Sequence, residues 1–176
     1  GLGDVYKRQG KHELEEAFIA MIRRYERTIY KVCVCYTSPE WPLADLYQES
    51  VCRLWAGFPK FRQECSLSTW VYRVTLNTCL TGVRRSIRRP QSVPLVSNLA
   101  EALAEPEQME EELREMYALI RRLGPLERTV VLLYLEENSY QQIADITGLT
   151  LCNVATKLKR AKICLLYTSD AADEAR

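Results

Sequence analysis

The feature that most constrains the fold is a pair of helices joined by a glycine turn near the carboxyl end. Ser139, followed three residues later by Gln142, is the signature of a capping box, in which each residue satisfies a backbone amide of the other at a helix start. Gly148 supplies a position that tolerates a positive φ, and Thr150 is placed to cap a second helix. The spacing predicts a helix-turn-helix over about residues 139–162.

The second of these helices has one apolar face and one polar face. At about 100° per residue, Val154, Leu158 and Ala161 share one side. The nearly opposite side is polar and consists of Asn153, Thr156, Lys157 and Arg160. A solvated surface would explain such a face by itself, but the turn signature in front of it favours a helix that enters a DNA major groove.

Charge is distributed unevenly along the chain, although the formal net charge is only +1. One basic block contains Arg84, Arg85, Arg88 and Arg89, and another contains Lys157, Lys159, Arg160 and Lys162. A glutamate-rich stretch between residues 101 and 115 separates the two blocks. The pattern suits a protein that contacts a polyanion at two places, but two ordinary surfaces joined by a solvated linker would produce it as well.

The seven cysteines do not follow a metal-binding or disulfide pattern. None belongs to a Cys-x-x-Cys pair, and the single histidine, His12, lies far from all of them in the sequence. Cys33 and Cys35 are two positions apart on a predicted helix, so their side chains point to different sides. We therefore expect buried free thiols in a reducing compartment, with no metal and no cofactor.

Two further features concern location and the chain ends. No apolar run reaches the roughly 20 residues that cross a bilayer, and no signal peptide is visible, so we expect a cytoplasmic protein with no membrane insertion. Residues 4–9 and 166–174 resemble translated sequencing-adapter read-through. We expect residues 1–9 and 166–176 to be non-native tails and place the natural chain between about residue 10 and about residue 164.

The rest of the chain has helical patterning throughout. Apolar residues recur every three or four positions from Leu14 to Tyr36, which predicts a long amphipathic helix that ends at the Pro-containing segment 38–42. A second helix follows, and a third runs over about residues 68–85. Farther along, Pro125 is placed to open a helix, because its missing N–H costs nothing in the first turn.

These patterns predict an all-α protein of two small helical domains. The first domain covers residues 11–89, and the second covers residues 115–165 and contains the helix-turn-helix. Prolines and glutamates in residues 90–114 predict a flexible linker between them.

Several motifs together resemble bacterial RNA polymerase sigma factors. Residues 44–49 and 54–62, followed by residues 68–77, look like the first conserved domain, region 2. Residues 123–128 and the helix-turn-helix look like the last conserved domain, region 4. Because only these two domains are present, the chain resembles the small extracytoplasmic-function type over residues 14–164.

The resemblance implies a docking face for core RNA polymerase on the second helix. The expected contact residues are Asp45, Leu46, Gln48, Glu49, Cys52 and Arg53. A solvated acidic surface is the alternative explanation of this face, and only the family resemblance favours docking.

The resemblance also implies that the first domain captures the melted minus-ten strand of a promoter. The expected contact residues are Arg62, Gln63, Ser66, Ser68, Arg73, Asn77, Arg84 and Arg85. Arg73, Asn77 and Arg84 step by four and seven, so they present one polar face of the third helix. Asparagine hydrogen-bonds base edges, and arginine holds phosphates or stacks on bases. Trp70 is expected in the core.

The helix-turn-helix would then bind the minus-thirty-five duplex. The expected contact residues are Gln142, Thr150, Asn153, Thr156, Lys157 and Arg160, of which the first two would reach flanking phosphates. Cys152 stands where the family usually has a small polar residue, so backbone amides of the helix start are the expected contact there.

The resemblance therefore implies a sigma factor that binds core RNA polymerase and promoter DNA, with an anti-sigma factor as a further partner. No nucleophile–base pair or metal constellation indicates an enzyme. Two alternatives remain: a stand-alone helix-turn-helix regulator, which needs no polymerase-binding face, and a helical module that binds only proteins.

Overall fold

A computed structural model of the chain describes the backbone of residues 2–84 and 111–173, with side chains at 10–81 and 111–167. Every regular element in these ranges is helical. The predicted basic positions Arg85, Arg88 and Arg89 lie outside the described residues, as does most of the predicted linker. Arg84 is the last residue of a described helix, but its side chain is also outside the description.

The first domain consists of three helices: α1 (Leu2–Tyr36), α2 (Leu43–Gly57) and α3 (Leu67–Arg84). Between α1 and α2, Ser38 and Trp41 exchange two backbone hydrogen bonds of 3.0 Å, which closes the predicted turn. A short 3-10 turn at Phe58–Lys60 follows α2. The three helices pack on one another around fully buried side chains that include Ile29, Val32, Leu46, Leu54 and Val71.

The second domain consists of four helices: α4 (Glu111–Arg121), α5 (Pro125–Leu135), α6 (Tyr140–Thr147) and α7 (Leu151–Asp173). Pro125 is at the first position of α5, as predicted. Helix α4 begins inside the segment 90–114 that the sequence assigned to the linker. Acidic side chains are favourable at the positive end of a helix dipole, and Glu111 and Glu112 occupy this first turn.

Helices α1 and α7 both run into the segments predicted to be non-native tails. α1 begins at Leu2, and α7 continues to Asp173. Extending an existing helix by one residue adds a hydrogen bond at little cost, whereas starting a helix is unfavourable. Helical backbone in these segments therefore follows from the helices to which they are attached.

All seven cysteines lie in the described ranges, and none forms a disulfide. The prediction of buried thiols holds for Cys33, Cys35 and Cys79 but is wrong for Cys152 and Cys164, whose helix positions face solvent. Burial raises the pKa of the Cys35 thiol to about 12, so this thiol stays protonated. Within the described ranges, no group of acidic, histidine and cysteine side chains is arranged to hold a metal ion.

Candidate nucleic-acid interface

The helix-turn-helix forms as the sequence predicts. The Gln142 amide donates to Ser139 Oγ at 3.2 Å, and the Ser139 amide donates to Gln142 Oε1 at 2.8 Å, which completes the capping box. Gly148 ends α6 in the left-handed region with φ 74°, and its amide donates to the carbonyl of Ala144 at 2.8 Å. The turn therefore depends on a residue type that adopts this conformation without strain.

Helix α7 buries one face and exposes the other. Val154, Leu158 and Ala161 are at most 1% exposed and belong to the core. On the opposite side, Asn153, Thr156 and Arg160 are exposed, which confirms the predicted division of the helix into two faces. The exposed face is free to approach a large polar ligand without any rearrangement of the core.

Lys157 differs from its neighbours on the polar face, because its ammonium group lies 2.9 Å from Glu127 Oε1 of α5. This hydrogen bond is the main cause that lowers the pKa of the Glu127 carboxyl. The pair ties α7 to α5. A phosphate contact by Lys157 would therefore compete with this carboxylate.

Gln142 and Thr150, the two residues predicted to reach phosphates, both cap helices and both remain exposed. Thr150 Oγ1 accepts the amide of Asn153 at 3.2 Å, which confirms its predicted cap of α7. The nearby Cys152 is exposed in the first turn of α7. Capping leaves the Gln142 side-chain amide nitrogen and the Thr150 hydroxyl proton as the groups that remain for a phosphate.

The α2 residues predicted to contact polymerase are exposed or half-buried, except for one. Asp45 and Gln48 are exposed, while Glu49 and Cys52 are half-buried. Arg53 is exposed, and its Nε lies 2.7 Å from a carboxylate oxygen of Glu49, one helical turn away. Leu46 was wrongly included in this face: it is 1% exposed and packs between the helices, so it supports the face from below.

The loop between the 3-10 turn and α3 carries the first of the predicted minus-ten residues. Arg62 and Gln63 are exposed there, and Gln63 has a positive φ of 58°, which is uncommon for a residue with a side chain. Ser66 caps α3, because its hydroxyl accepts the Thr69 amide at 3.2 Å and is 3.0 Å from the Ser68 hydroxyl. This cap was not predicted, although a serine just before a helical pattern is its usual signal.

Aromatic side chains anchor the base of this loop. The Trp70 ring lies 5.1 Å from that of Phe61 and 6.4 Å from that of Phe58, measured between centroids. Gly57 allows Trp70 to approach the end of α2, since a Cβ at this glycine would lie 3.0 Å from the Trp70 ring. Trp70 is half-buried against the core, as expected, and it fixes where the loop begins and ends.

The exposed side of α3 brings two of the predicted minus-ten residues together. Arg73 and Asn77 are one turn apart and both exposed. Tyr72, in contrast, is buried, and Glu136 and Asn138 of the second domain lie near its hydroxyl. Arg62, Gln63, Arg73 and Asn77 are thus all exposed residues of the first domain, whereas the polar face of α7 belongs to the second.

Comparison with known proteins agrees with this two-part architecture. The family model described as Sigma-70 region 2 matches residues 21–89, and the model described as Sigma-70, region 4 matches residues 113–165. The two matches together cover more than two thirds of the chain, in the order that the motifs predict. The chain belongs to the sigma-70 family.

Individual relatives are extracytoplasmic-function members of this family. The ECF RNA polymerase sigma factor SigG of Mycobacterium tuberculosis is 27% identical over 187 residues, and the match covers 88% of this chain but 49% of that protein. The chain thus spans about half the length of this relative. The ECF RNA polymerase sigma-E factor of Haemophilus influenzae is 27% identical over 161 residues, covering 84% of this chain and 85% of that protein.

Solved structures show the same fold. CnrH, in complex with the cytosolic domain of CnrY, matches with a TM-score of 0.64 and 20% identity over 89% of this chain and 90% of that chain. The sigma factor RpoE of Bartonella quintana, in complex with the anti-sigma factor NepR, matches with a TM-score of 0.64 and 18% identity over 85% of this chain and 94% of that chain. We therefore call the first domain of this sigma-70 family member region 2 and the second domain region 4.

Contacts that no sequence pattern predicts join region 2 to region 4. The sequence predicts separate units on a flexible linker, whereas α1 and α3 of region 2 pack against helices of region 4. Arg73 donates hydrogen bonds from Nε (3.0 Å) and Nη2 to the backbone carbonyl of Asp145. No local pattern indicates a bond between residues 72 positions apart.

A further finding is that no helix in the described ranges combines the length and apolar character needed to cross a membrane.

Proposed function

We propose that this chain binds core RNA polymerase and directs it to promoters as a sigma factor. The observation that carries the proposal is the presence of both sigma-70 regions, each with an exposed polar surface on the helix expected to contact a partner. The proposed role is not catalytic, because polymerase performs the chemistry. The proposed role would place the protein in the bacterial cytoplasm, where polymerase binds DNA.

The proposed polymerase contact is the exposed face of α2, formed by Asp45, Gln48, Glu49, Cys52 and Arg53. Its polar groups stand on a helix whose other side, including Leu46 and Leu54, is fully buried. A rigidly held helix loses little conformational entropy when its outer face binds a partner. The support is therefore a preformed surface together with the region 2 match.

The proposed promoter contacts divide between the two regions. In region 2, the loop with Arg62 and Gln63 and the α3 residues Arg73 and Asn77 would hold the unpaired minus-ten strand. In region 4, the exposed α7 face with Arg160 would enter the major groove of the minus-thirty-five duplex. Two general features support this division: a helix fits a duplex groove, and a polar loop beside aromatic side chains suits unstacked bases.

We further propose an anti-sigma factor as a partner. RpoE was solved in complex with an anti-sigma factor, and this chain matches its fold over 94% of that chain's length. A stand-alone helix-turn-helix regulator is the second candidate, and it is less well supported because it gives region 2 no role.

Charge reversal on α2 tests the polymerase contact. The double substitution Asp45→Lys and Glu49→Lys should abolish capture by core polymerase and transcription in vitro. Helical content and melting temperature should change little, since neither side chain belongs to the core. The matched control is Glu13→Lys with Glu16→Lys, the same charge change at exposed positions of α1. Core binding that survives the α2 reversal, or is lost equally in the control, would contradict the assignment.

A further inference from the structure

A carboxylate of α5 lies against the polar face of α7, inside region 4. Glu127 Oε1 is 2.9 Å from the ammonium group of Lys157, and the two side chains are 26% and 22% exposed. The other residues assigned to this face are fully exposed and consist of Asn153, Thr156 and Arg160. Lys157 is thus held by another helix of the same domain, whereas these three side chains are open to solvent.

The start of α5 determines where this carboxylate lies. Glu127 is in the first turn of the helix, where a negative charge is favourable beside the free backbone amides. Its second oxygen, Oε2, lies over Gly124, because a Cβ at Gly124 would be 2.7 Å from it. Gly124 has φ −59° and ψ 157°, a conformation that any residue adopts. The missing side chain of Gly124 therefore serves to leave the space that the carboxylate occupies.

The pair is ionised and strongly bonded. The hydrogen bond from Lys157 is the main cause that lowers the pKa of the Glu127 carboxyl, and the charge of Arg160 acts in the same direction. A hydrogen bond between two ionised groups is roughly twice as strong as one between neutral groups. An anion of the protein therefore occupies the place beside the Lys157 ammonium that a DNA phosphate would take.

We propose that Glu127 is a positioning residue that acts in place of a DNA phosphate: it holds Lys157 back from the DNA backbone and so limits the sequence-independent affinity of region 4 for duplex. The inference rests on the proposed function, because it takes the polar face of α7 as the surface that contacts DNA. Phosphate contacts carry no sequence information, yet each one adds to the affinity for any duplex. Non-promoter duplex competes in large excess, so one phosphate contact fewer leaves less of the protein bound there.

The test is whether Glu127→Gln and Lys157→Gln act independently on duplex binding. Anisotropy of a fluorescein-labelled duplex of mixed sequence gives the association constant of the full chain between about 50 and 200 mM salt. Glu127→Gln should release Lys157 to one further phosphate and steepen the slope of log association constant against log salt by about 0.9. The affinity at about 50 mM salt should then increase about tenfold, if the new contact contributes nothing near 1 M salt.

Lys157→Gln separates release of the lysine from the simple loss of a negative charge. In the unchanged protein it should weaken binding no more than Lys159→Gln, the same charge change at an exposed position of α7. In the Glu127→Gln protein it should remove the whole gain in affinity and the added slope, whereas Lys159→Gln should act equally in both backgrounds. Gly124→Ala keeps every charge but displaces the carboxylate, so it should also raise the affinity. Circular dichroism checks that each variant is folded.

Additive effects of Glu127→Gln and Lys157→Gln, with a salt slope that Glu127→Gln leaves unchanged, would overturn the proposal, because long-range electrostatics alone predicts that result. Arg160→Ala and capture by core polymerase are measured in parallel and report on the proposed function. If Arg160→Ala weakens duplex binding and polymerase captures the chain while the two effects are additive, only the present proposal fails. If the two effects are coupled but polymerase captures no variant, the proposed function fails and the role of Glu127 stands.

Discussion

Gly148→Ala tests how the turn of region 4 is built, and its effect is calculable because few terms contribute. Gly148 has a φ of 74°, and, apart from its two chain neighbours, no residue of the described chain has an atom within 4 Å of the position that a Cβ would occupy. A clash is therefore absent, and the cost is the left-handed backbone, roughly 1–2 kcal/mol for a residue with a side chain. This free energy corresponds to a change of about 5- to 30-fold in the unfolding equilibrium of the domain.

Urea unfolding followed by circular dichroism measures this cost, and thermal melting should show a decrease of about 4–8 °C for each kcal/mol. Gly148→Asn is the matched control, since asparagine is larger than alanine but adopts the left-handed conformation more readily. We expect the asparagine variant to be the more stable of the two. Equal losses in both variants, or no loss with alanine, would show that backbone conformation does not limit this turn.

Three further predictions concern single side chains. Asn77→Ala should impair promoter opening, measured by permanganate reactivity, more than it impairs binding to closed duplex. Arg160→Ala should weaken binding to the minus-thirty-five half of the promoter. Equal loss of both signals in both variants would contradict the division of contacts between the regions. The hydrogen bond from Lys157 lowers the pKa of the Glu127 carboxyl in the folded protein. The ionised carboxylate therefore stabilises the fold at a pH above the usual glutamate pKa near 4.5, and this stabilisation is lost as the pH falls through the lowered pKa of the folded state. Glu127→Gln should therefore reduce the difference between urea midpoints at neutral pH and at about pH 3, where carboxylates protonate. Ser139→Ala should cost about 1 kcal/mol in urea unfolding by removing the cap of α6, and restoration of the cap by Ser139→Asp would support this cause.

Much of the fold and part of the site follow from short-range sequence patterns. The capping box at Ser139, the left-handed turn at Gly148 and the two faces of α7 each depend on residues three or four positions apart. Within a helix such residues are neighbours whatever the rest of the chain does. The cap that Ser66 forms at the start of α3 is of the same kind. A serine before a helical pattern indicates such a cap, although the family resemblance implies a DNA contact for Ser66.

Which surfaces meet was decided only by the tertiary structure. Tyr36 and Thr129 are 93 residues apart, Arg73 and Asp145 are 72 apart, and Lys157 reaches Glu127 across 30 residues.

Periodicity identifies an amphipathic face but does not say which other face will cover it. The sequence thus determined the helices, their caps and the polar surfaces of regions 2 and 4. The packing of one region on the other determined which polar side chains are engaged, because contacts between distant segments depend on the shape and charge of both surfaces together.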